Sequence, residues 1–182
     1  MPDRSSVLIL ATLETKAEEI TFLTERLGDF DVFAVTVDVS LRKTGATLGG
    51  DGKLAAMDAA ASSALEAVDQ AMAAGVNAVV GLGGGTGAEI SVKVLRAMPI
   101  TFPRVLITTL PFDPRYALAD NSIVLVPTLA DVSGLNATLR EVLENSAAMV
   151  AGLCRTRRRA NACVLDPSIG LTALGATEGA VG

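Results

Sequence analysis

The sequence predicts a three-layer α/β/α domain of Rossmann-like or flavodoxin-like type, with a doubly wound, mostly parallel sheet of about five strands. Short, continuously apolar segments alternate along the chain with segments of helical periodicity, a pattern typical of right-handed βαβ units. Half of the residues are hydrophobic (50%) and 19% are charged, as expected when helices cover both faces of a sheet.

The first two predicted units each combine a strand with a helix. Residues 7–10 are apolar, and apolar side chains then recur at helical spacing over residues 14–27. A β-branched strand follows at residues 32–39. Residues 41–53 carry four glycines without periodicity and are therefore predicted as a loop. An alanine-rich helix is predicted at residues 54–74.

The third unit and the closing elements complete the predicted sheet. An apolar strand is predicted at residues 76–82 and ends at the glycines that follow it. A helix is then predicted at residues 88–98, before Pro99 and Pro103. Further strands are predicted at residues 104–110 and 122–126, and a last helix at 135–153. The loop between those strands contains Arg115 and Tyr116, which either clamp a ligand or only cover the pocket.

The domain organisation predicted from composition has three parts. Residues 1–154 form a Rossmann-like nucleotide-binding subdomain, and residues 155–161 form a basic linker with four arginines. Residues 162–182 begin like a new strand and then run through Pro167 and several glycines without a helical pattern. They are interpreted as the first segment of a truncated second subdomain, with a flexible tail as the alternative.

Charge and residue usage exclude several classes of function. The net charge is −5 and basic residues cluster only between Arg155 and Arg159, so no broad nucleic-acid surface is expected. The chain has no histidine, which excludes a Ser-His-Asp triad, a Cys-His pair and the commonest zinc sites within it. No metal site is predicted. Cys154 and Cys163 lack metal or redox spacing and are expected to be reduced thiols.

The N-terminal apolar run ends before Thr12 and is too short for a signal peptide or a membrane span. We therefore expect a cytoplasmic protein without membrane contact.

Ligands of open parallel sheets bind at the carboxyl ends of the strands, so the first residues after each strand are candidates. Thr15 and Glu18 have the spacing of a capping box, which places Lys16 at the first helical position. A cation is unfavourable there unless an anion lies between it and the helix dipole. The turn formed by Thr12, Glu14, Thr15 and Lys16 is therefore a candidate phosphate site, with a solvated surface lysine as an equal alternative.

The glycine-rich segment after the third strand is the second candidate. It consists of Gly83, Gly84, Gly85, Thr86 and Gly87. Glycines let successive N–H groups point at one oxyanion, and Thr86 caps the next helix or binds a phosphate. The dinucleotide fingerprint is weak and a Walker pattern is absent. A tight connection without a ligand is the alternative.

Two further strand ends carry polar residues. Asp38 ends the second strand, where it either accepts hydrogen bonds from ribose, holds a metal-bound water or serves as a turn aspartate. Before the last helix, Asp131 or Ser133 is expected to act as the cap. Ser133 and Asn136 are expected to face the same pocket as the other candidates.

Four motifs occur in order between residues 7 and 153: Thr-Leu-Glu-Thr-Lys, Val-Asp-Val, Gly-Gly-Gly-Thr-Gly and Asp-Val-Ser-Gly-Leu-Asn. Together the motifs resemble the ATP-binding domains similar to the tomato mosaic virus resistance protein, an uncharacterised family with two Rossmann-like subdomains. The chain would correspond to the first subdomain, and residues 170–177 resemble the Gly-x-Thr-x-x-Gly-x-Thr segment that opens the second.

The resemblance implies a nucleotide pocket made of Thr12, Thr15, Lys16, Asp38, Gly83 to Gly87, Asp131 and Asn136. Two departures are Glu14, where the family usually has Asp, and the Pro-rich segment at residues 111–115. The second departure bears on which base the pocket accepts.

The first functional hypothesis is an ATP-binding domain, with or without Mg²⁺, in which Lys16 and the glycine segment hold the phosphates. Asp38 or Glu14 would contact ribose or Mg²⁺. The alternatives are an NAD(P)-type oxidoreductase domain and a non-catalytic interaction module that also forms homo-oligomers. The first turn lacks glycine between Thr12 and Ala17, which disfavours a dinucleotide. The sequence shows no general base, so no reaction is predicted.

Overall fold

The structure is a computed structural model that describes residues 4–41, 50–111 and 113–160, apart from the side chains at positions 116 and 158–160. The strands are β1 (Ser5–Ala11), β2 (Val32–Asp38), β3 (Ala78–Gly83), β4 (Arg104–Thr108) and β5 (Val124–Pro127). The helices are α1 (Leu13–Asp29), α2 (Gly50–Ala73), α3 (Gly85–Ala97), α4 (Pro114–Leu118) and α5 (Ala137–Ala160).

The five strands form one parallel sheet in the order β2-β1-β3-β4-β5. Val7 of β1 pairs with Ala34 on one side and with Ala78 on the other. The chain therefore runs outward from β1 to β2 and then crosses back over β1 to reach β3. The strand order reverses between β1 and β3, which is where an open sheet of this type forms a ligand crevice. The predicted fold class is confirmed.

Successive residues of β1 supply two separate hydrophobic cores, because side chains alternate between the faces of a strand. Val7 and Ile9 belong to the core with α1 and α5, whereas Leu8 and Leu10 belong to the core with α2 and α3. This double burial explains why the strands are continuously apolar. Cys154 is a free thiol buried in the first core, and burial raises its pKa to about 11.

Two elements differ from the sequence-based predictions. A short helix, α4, lies within the predicted loop because the Asp113 carboxylate accepts a hydrogen bond from the Arg115 N–H and Pro114 suits a first helical turn. Helix α5 continues to Ala160, so residues 155–160 of the expected linker are helical. Apolar contacts extend that helix, since Leu153 and Cys154 pack on the core and Arg157 stacks on Phe102.

The division of the chain into two subdomains remains a prediction. Cys163, the segment at residues 170–177 and most of the loop at 41–53 lie outside the described residues. Among the helices that are described, none is long and apolar enough to cross a membrane.

Candidate functional site

A cavity of about 380 Å³ lies at the carboxyl ends of β1 and β3, where the strand order reverses. Most of the residues predicted for the ligand site line it. The lining residues are Thr12, Glu14, Thr15, Lys16, Ser40, Leu41, Gly84, Gly85, Thr86, Gly87 and Asp131. Gly83, the last residue of β3, is not among them. We refer to this cavity as the switch-point cavity.

A groove of similar volume, about 390 Å³, lies on the outer face of α1 beside Leu135 and Arg140. Size alone therefore does not identify the functional site. The groove follows a helix flank, whereas the switch-point cavity meets the start of two helices at the strand ends. Its position and its backbone donors make the switch-point cavity the better candidate.

Helix α3 opens directly onto the switch-point cavity. Its N-cap is Gly84, whose carbonyl accepts the first intrahelical hydrogen bond from the Ala88 N–H at 2.7 Å. The N–H groups of Gly85, Thr86 and Gly87 precede that bond and have no hydrogen-bond partner within the described residues. Three adjacent donors at the positive end of a helix form an anion-binding group.

Thr86 is the second residue of α3 and therefore does not cap it. The predicted capping role is wrong because the turn begins two residues earlier, at Gly84. The Thr86 side chain instead lines the switch-point cavity.

The glycines of this segment provide space rather than unusual backbone angles, since none of them has a positive φ. A Cβ on Gly83 would lie 3.2 Å from the Ala88 nitrogen, and one on Gly87 would lie 3.4 Å from Thr12 Cγ2. Both glycines thus allow α3 to approach β3 and the start of α1. A Cβ on Gly85 would meet nothing within 4 Å, so this position borders open space in which a ligand can sit.

Helix α1 begins at Leu13 with Thr12 as its N-cap, so the prediction of a capping box at Thr15 and Glu18 is wrong. The Thr12 carbonyl accepts hydrogen bonds from the N–H groups of Thr15 and Lys16 at 3.1 and 3.0 Å. The Thr15 hydroxyl is 2.8 Å from the Thr12 hydroxyl. These contacts close a turn before Thr15, and the helix therefore starts earlier than predicted.

Lys16 is the fourth residue of α1 and interrupts it, with φ −129° and ψ 20°. Its side chain is half-buried at the switch-point cavity and makes no ion pair within the described ranges. The N–H groups of Leu13, Thr15 and Lys16 are already bonded within the protein. Helix α1 therefore contributes the Lys16 ammonium to this cavity rather than a set of free backbone donors.

Asp38 joins the end of β2 to the start of α1. Its Oδ1 atom accepts hydrogen bonds from the Leu13 N–H (3.1 Å), the Ser40 N–H (2.9 Å) and the Ser40 hydroxyl (2.5 Å). Partial burial raises the pKa of Asp38, but the bonds from Ser40 and Leu13 outweigh it, and the pKa falls below its ordinary value. Oδ1 is thus committed to holding the turn together, and Asp38 does not line the switch-point cavity.

We expect Asp38→Ala to lower the free energy of unfolding by about 1 kcal/mol near neutral pH, because Leu13 and Ser40 lose their acceptor. Asp38→Asn retains an oxygen acceptor, so a comparison of this variant with the wild type measures the effect of the charge alone. The folded-state pKa lies below the ordinary value of 3.8, so the carboxylate stabilises the fold above that value and this contribution is lost as the pH falls through the folded pKa.

The difference in unfolding free energy between the wild type and Asp38→Asn should therefore shrink in acid. Solvent exposure of Asp38 keeps this difference small. Urea titrations followed by circular dichroism at neutral pH and at pH ~3 measure this difference in unfolding free energy. The acidic condition lies below the ordinary aspartate pKa. An equal difference at both pH values would contradict the role of the charge.

The loop before α5 is held by contacts that the sequence pattern did not reveal. Asn136 caps α5, since its Oδ1 accepts a hydrogen bond from the Leu139 N–H at 2.9 Å. The prediction that Asp131 or Ser133 caps this helix is therefore wrong. Glu19, which is 2% exposed, accepts a hydrogen bond from the Gly134 N–H at 2.8 Å. That bond and the positive φ of Gly134 delay the start of the helix.

Asp131 remains at the switch-point cavity, whereas Ser133 and Asn136, which were expected to face it, do not line it. A Cβ on Gly84 would lie 3.7 Å from Asp131 Oδ1, which places this carboxylate beside the start of α3. Ser40 and Leu41 also line the cavity, and sequence analysis missed them. The available signal was the Asp-Val-Ser order after β2, because a serine two residues after an aspartate commonly bonds to its carboxylate.

The switch-point cavity thus has two chemical regions. Its basic region combines Lys16 with the N–H groups at the start of α3 that no described residue bonds, while Glu14 and Asp131 are its acidic residues. No group of three or more His, Cys, Asp or Glu side chains that could hold a metal occurs in the part of the chain that the structure describes. The geometry suits a ligand that has an anionic group at one end, for the basic region, and hydrogen-bond donors or a bound cation at the other end, for the carboxylates.

A parallel sheet covered by helices on both faces, with a cavity at its reversal point, defines a Rossmann-like α/β domain. The chain belongs to the uncharacterised protein family UPF0261, since residues 46–159 match the N-terminal domain of that family. The resemblance drawn from the motifs is confirmed at the level of the family.

Bacterial and plant relatives agree with this assignment. The chain is 31% identical to a UPF0261 protein of Mesorhizobium japonicum, over 94% of the chain and 47% of the relative. It is 29% identical to a UPF0261 protein of Rhizobium meliloti with the same coverage. The ToMV resistance protein Tm-1(GCR237) of Solanum lycopersicum is 29% identical over 81% of the chain and 24% of its own length. The chain spans about half the length of the bacterial relatives it matches.

Proposed function

We propose that the chain is a nucleotide-binding domain, that its ligand is ATP with or without Mg²⁺, and that the phosphates bind in the switch-point cavity. The observation that carries the proposal is the set of three N–H groups at the start of α3 that have no partner among the described residues, together with the half-buried Lys16 at the same cavity. Helix N-termini and lysine ammonium groups together are a recurrent phosphate-binding arrangement. The proposal concerns binding and assigns no turnover.

The arrangement of charges orients the nucleotide. The phosphates contact Gly85, Thr86, Gly87 and Lys16, because these provide donors and positive charge. The carboxylates of Glu14 and Asp131 repel phosphate and therefore accept hydrogen bonds from ribose hydroxyls or bind the waters of Mg²⁺. Asp38 is less available for this role than the sequence suggested, since its Oδ1 is already occupied and it does not line the cavity.

A dinucleotide is the poorer ligand for this cavity. The turn after β1 carries side chains at Leu13, Glu14 and Thr15, where a dinucleotide site has glycines. The volume of about 380 Å³ lies near the lower end of the range for small-molecule sites. Both features favour a mononucleotide.

The test is a comparison of ATP, ADP, NAD and NADP by thermal denaturation and calorimetry, each with and without Mg²⁺. ATP at about one hundred times its Kd should add about 2.7 kcal/mol to the free energy of unfolding. NAD and NADP should produce a smaller effect at equal concentration. The absence of any stabilisation by ATP, with or without Mg²⁺, would remove the nucleotide proposal.

A protein-interaction role is the second candidate, and the exposed edge of the sheet favours it. Strand β2 lies at the edge, with Phe33 55% and Val35 46% exposed, and Phe30 before it is 42% exposed. Unpaired edge strands with apolar side chains promote pairing with another chain. A second copy of this domain is the partner that the isolated chain itself can supply.

If β2 mediates self-association, Phe33→Lys should convert the oligomer to a monomer, because a charge is unfavourable in an apolar contact. Ile100→Lys is the matched control, since Ile100 is similarly exposed (58%) but precedes β4. Light scattering coupled to size-exclusion chromatography measures the mass. A monomeric wild type, or an oligomer that persists in Phe33→Lys, would argue against this candidate.

A further inference from the structure

A second cavity lies at the opposite end of the sheet from the switch-point cavity. Its volume is about 350 Å³, and it is bordered by the amino-terminal ends of β4 and β5 and by the last turns of α5. Phe102, Val124 and Leu153 supply apolar walls, and Arg104 and Arg157 also line it. We call it the two-arginine cavity.

Arg104 is almost fully buried, with 1% of its surface exposed. Its Nη1 donates to the carbonyls of Leu95 (2.7 Å) and Met98 (3.3 Å), and its Nη2 donates to the Ile100 carbonyl and the Ser122 hydroxyl, both at 3.0 Å. Its Nε is buried without a hydrogen-bond partner in the described part of the chain. All of its partners are neutral groups.

A buried guanidinium without a carboxylate is energetically costly, because carbonyl dipoles replace only part of its hydration. Two of the carbonyls that bind Arg104 come from the C-terminal end of α3, where the helix dipole favours a cation. Burial still lowers the pKa of Arg104, which reflects the remaining cost. A nearby anion would reduce that cost. If Arg104 only held the surrounding loops together through its hydrogen bonds, the cost would remain.

Arg157 brings a second guanidinium to the same cavity. Its Cζ atom lies 5.1 Å from the centroid of the Phe102 ring, a distance at which a cation is attracted to an aromatic face. Among the described residues Arg157 forms no ion pair. Of the described residues that line the cavity, two are arginines and none has a carboxylate, although the chain as a whole carries a net charge of −5. This concentration of positive charge is therefore local.

We propose that the two-arginine cavity binds the carboxylate of a small organic anion whose apolar part packs against Phe102, Val124 and Leu153. The Arg157 guanidinium can bond a carboxylate through two parallel N–H groups, whereas the remaining donor of Arg104 without a partner in the described part of the chain is its buried Nε. The apolar walls favour a carboxylate carried on a hydrocarbon body over an inorganic anion. The site is at the other end of the strands from the switch-point cavity, so it does not depend on nucleotide binding.

The test follows the Nε–Hε nuclear magnetic resonance signals of the arginine side chains during titration with benzoate. Benzamide has nearly the same shape without the charge and serves as the control ligand. We expect benzoate to shift the signals of Arg104 and Arg157 saturably, and benzamide to leave them unchanged. Arg157→Gln should weaken benzoate binding by about ten- to a hundredfold, the range expected on losing a hydrogen bond between charged groups.

Arg155→Gln is the matched control variant, because Arg155 is an exposed arginine on the same helix that does not line the cavity. It should bind benzoate as the wild type does. The proposal would be overturned by the absence of a saturable benzoate shift, by equal shifts with benzamide, or by unchanged binding in Arg157→Gln. A shift in the 182-residue chain that disappears in the longest chain carrying this domain would also overturn it, because polypeptide would then occupy the cavity.

Discussion

Lys16→Ala is expected to weaken ATP binding by about ten- to a hundredfold, because a hydrogen bond between charged groups contributes about 1.5–3 kcal/mol. Lys16 carries the ammonium that borders the switch-point cavity next to the start of α3. The α3 N–H groups remain in the variant, so residual binding should persist. Isothermal titration calorimetry of the wild type and of Lys16→Ala measures the change in Kd for ATP. The titrations are made with or without Mg²⁺, whichever gives the tighter wild-type complex.

The control for this prediction is Lys93→Ala, which removes the same charge elsewhere. Lys93 lies on the outer part of α3 and pairs with Asp58 at the surface, an interaction that contributes little to stability. Lys93→Ala should bind ATP as tightly as the wild type.

Lys16 also interrupts α1, so Lys16→Ala could alter the helix itself. Two measurements separate these effects: the ATP affinity of Lys16→Gln, which keeps most of the side chain without the charge, and the melting temperature of each variant without ligand. Wild-type affinity in Lys16→Ala and Lys16→Gln would contradict the phosphate assignment.

Gly81→Ala is expected to lower the free energy of unfolding by about 1–3 kcal/mol, the usual cost of overpacking a filled core. Gly81 lies on β3, and a Cβ there would be 2.7 Å from Ser91 Cβ and 3.0 Å from Leu106 Cδ1. Ser91 and Leu106 are fully buried, so neither can move into solvent. Guanidinium chloride unfolding of the variant and the wild type measures the change.

Gly28→Ala is the matched control, because a Cβ at Gly28 meets nothing within 4 Å. Gly28 lies near the end of α1, so alanine there should leave stability unchanged or raise it by up to about 1 kcal/mol. A second variant, Gly81→Ala with Ser91→Gly, removes the collision with Ser91 but leaves that with Leu106, and should therefore recover part of the loss. If Gly81→Ala is as stable as Gly28→Ala, the packing of α3 against β3 is looser than the structure indicates.

Sequence analysis predicted most of the switch-point cavity because its main determinants are local and topological. Thr12, Lys16 and the glycines at 83–87 each follow an apolar strand, and parallel strands place their carboxyl ends at one edge of the sheet. Ser40 and Leu41 follow a strand in the same way but escaped prediction, since only the fold showed how close that turn lies to α1. The two-arginine cavity had no signal at all, because its arginines are 53 residues apart in sequence, at positions 104 and 157.

The sequence by itself determined the strands, the long helices and the residues available at each strand end, since these depend on periodicity over neighbouring residues. The tertiary structure decided where helices begin and which polar groups remain free for a ligand. Asp38 reaches Leu13 across 25 residues, and Glu19 reaches Gly134 across 115. A helix start depends on which acceptor or donor arrives there in space. Local patterns therefore placed the caps at Thr15 and Asp131 or Ser133, whereas long-range contacts moved them to Thr12 and Asn136.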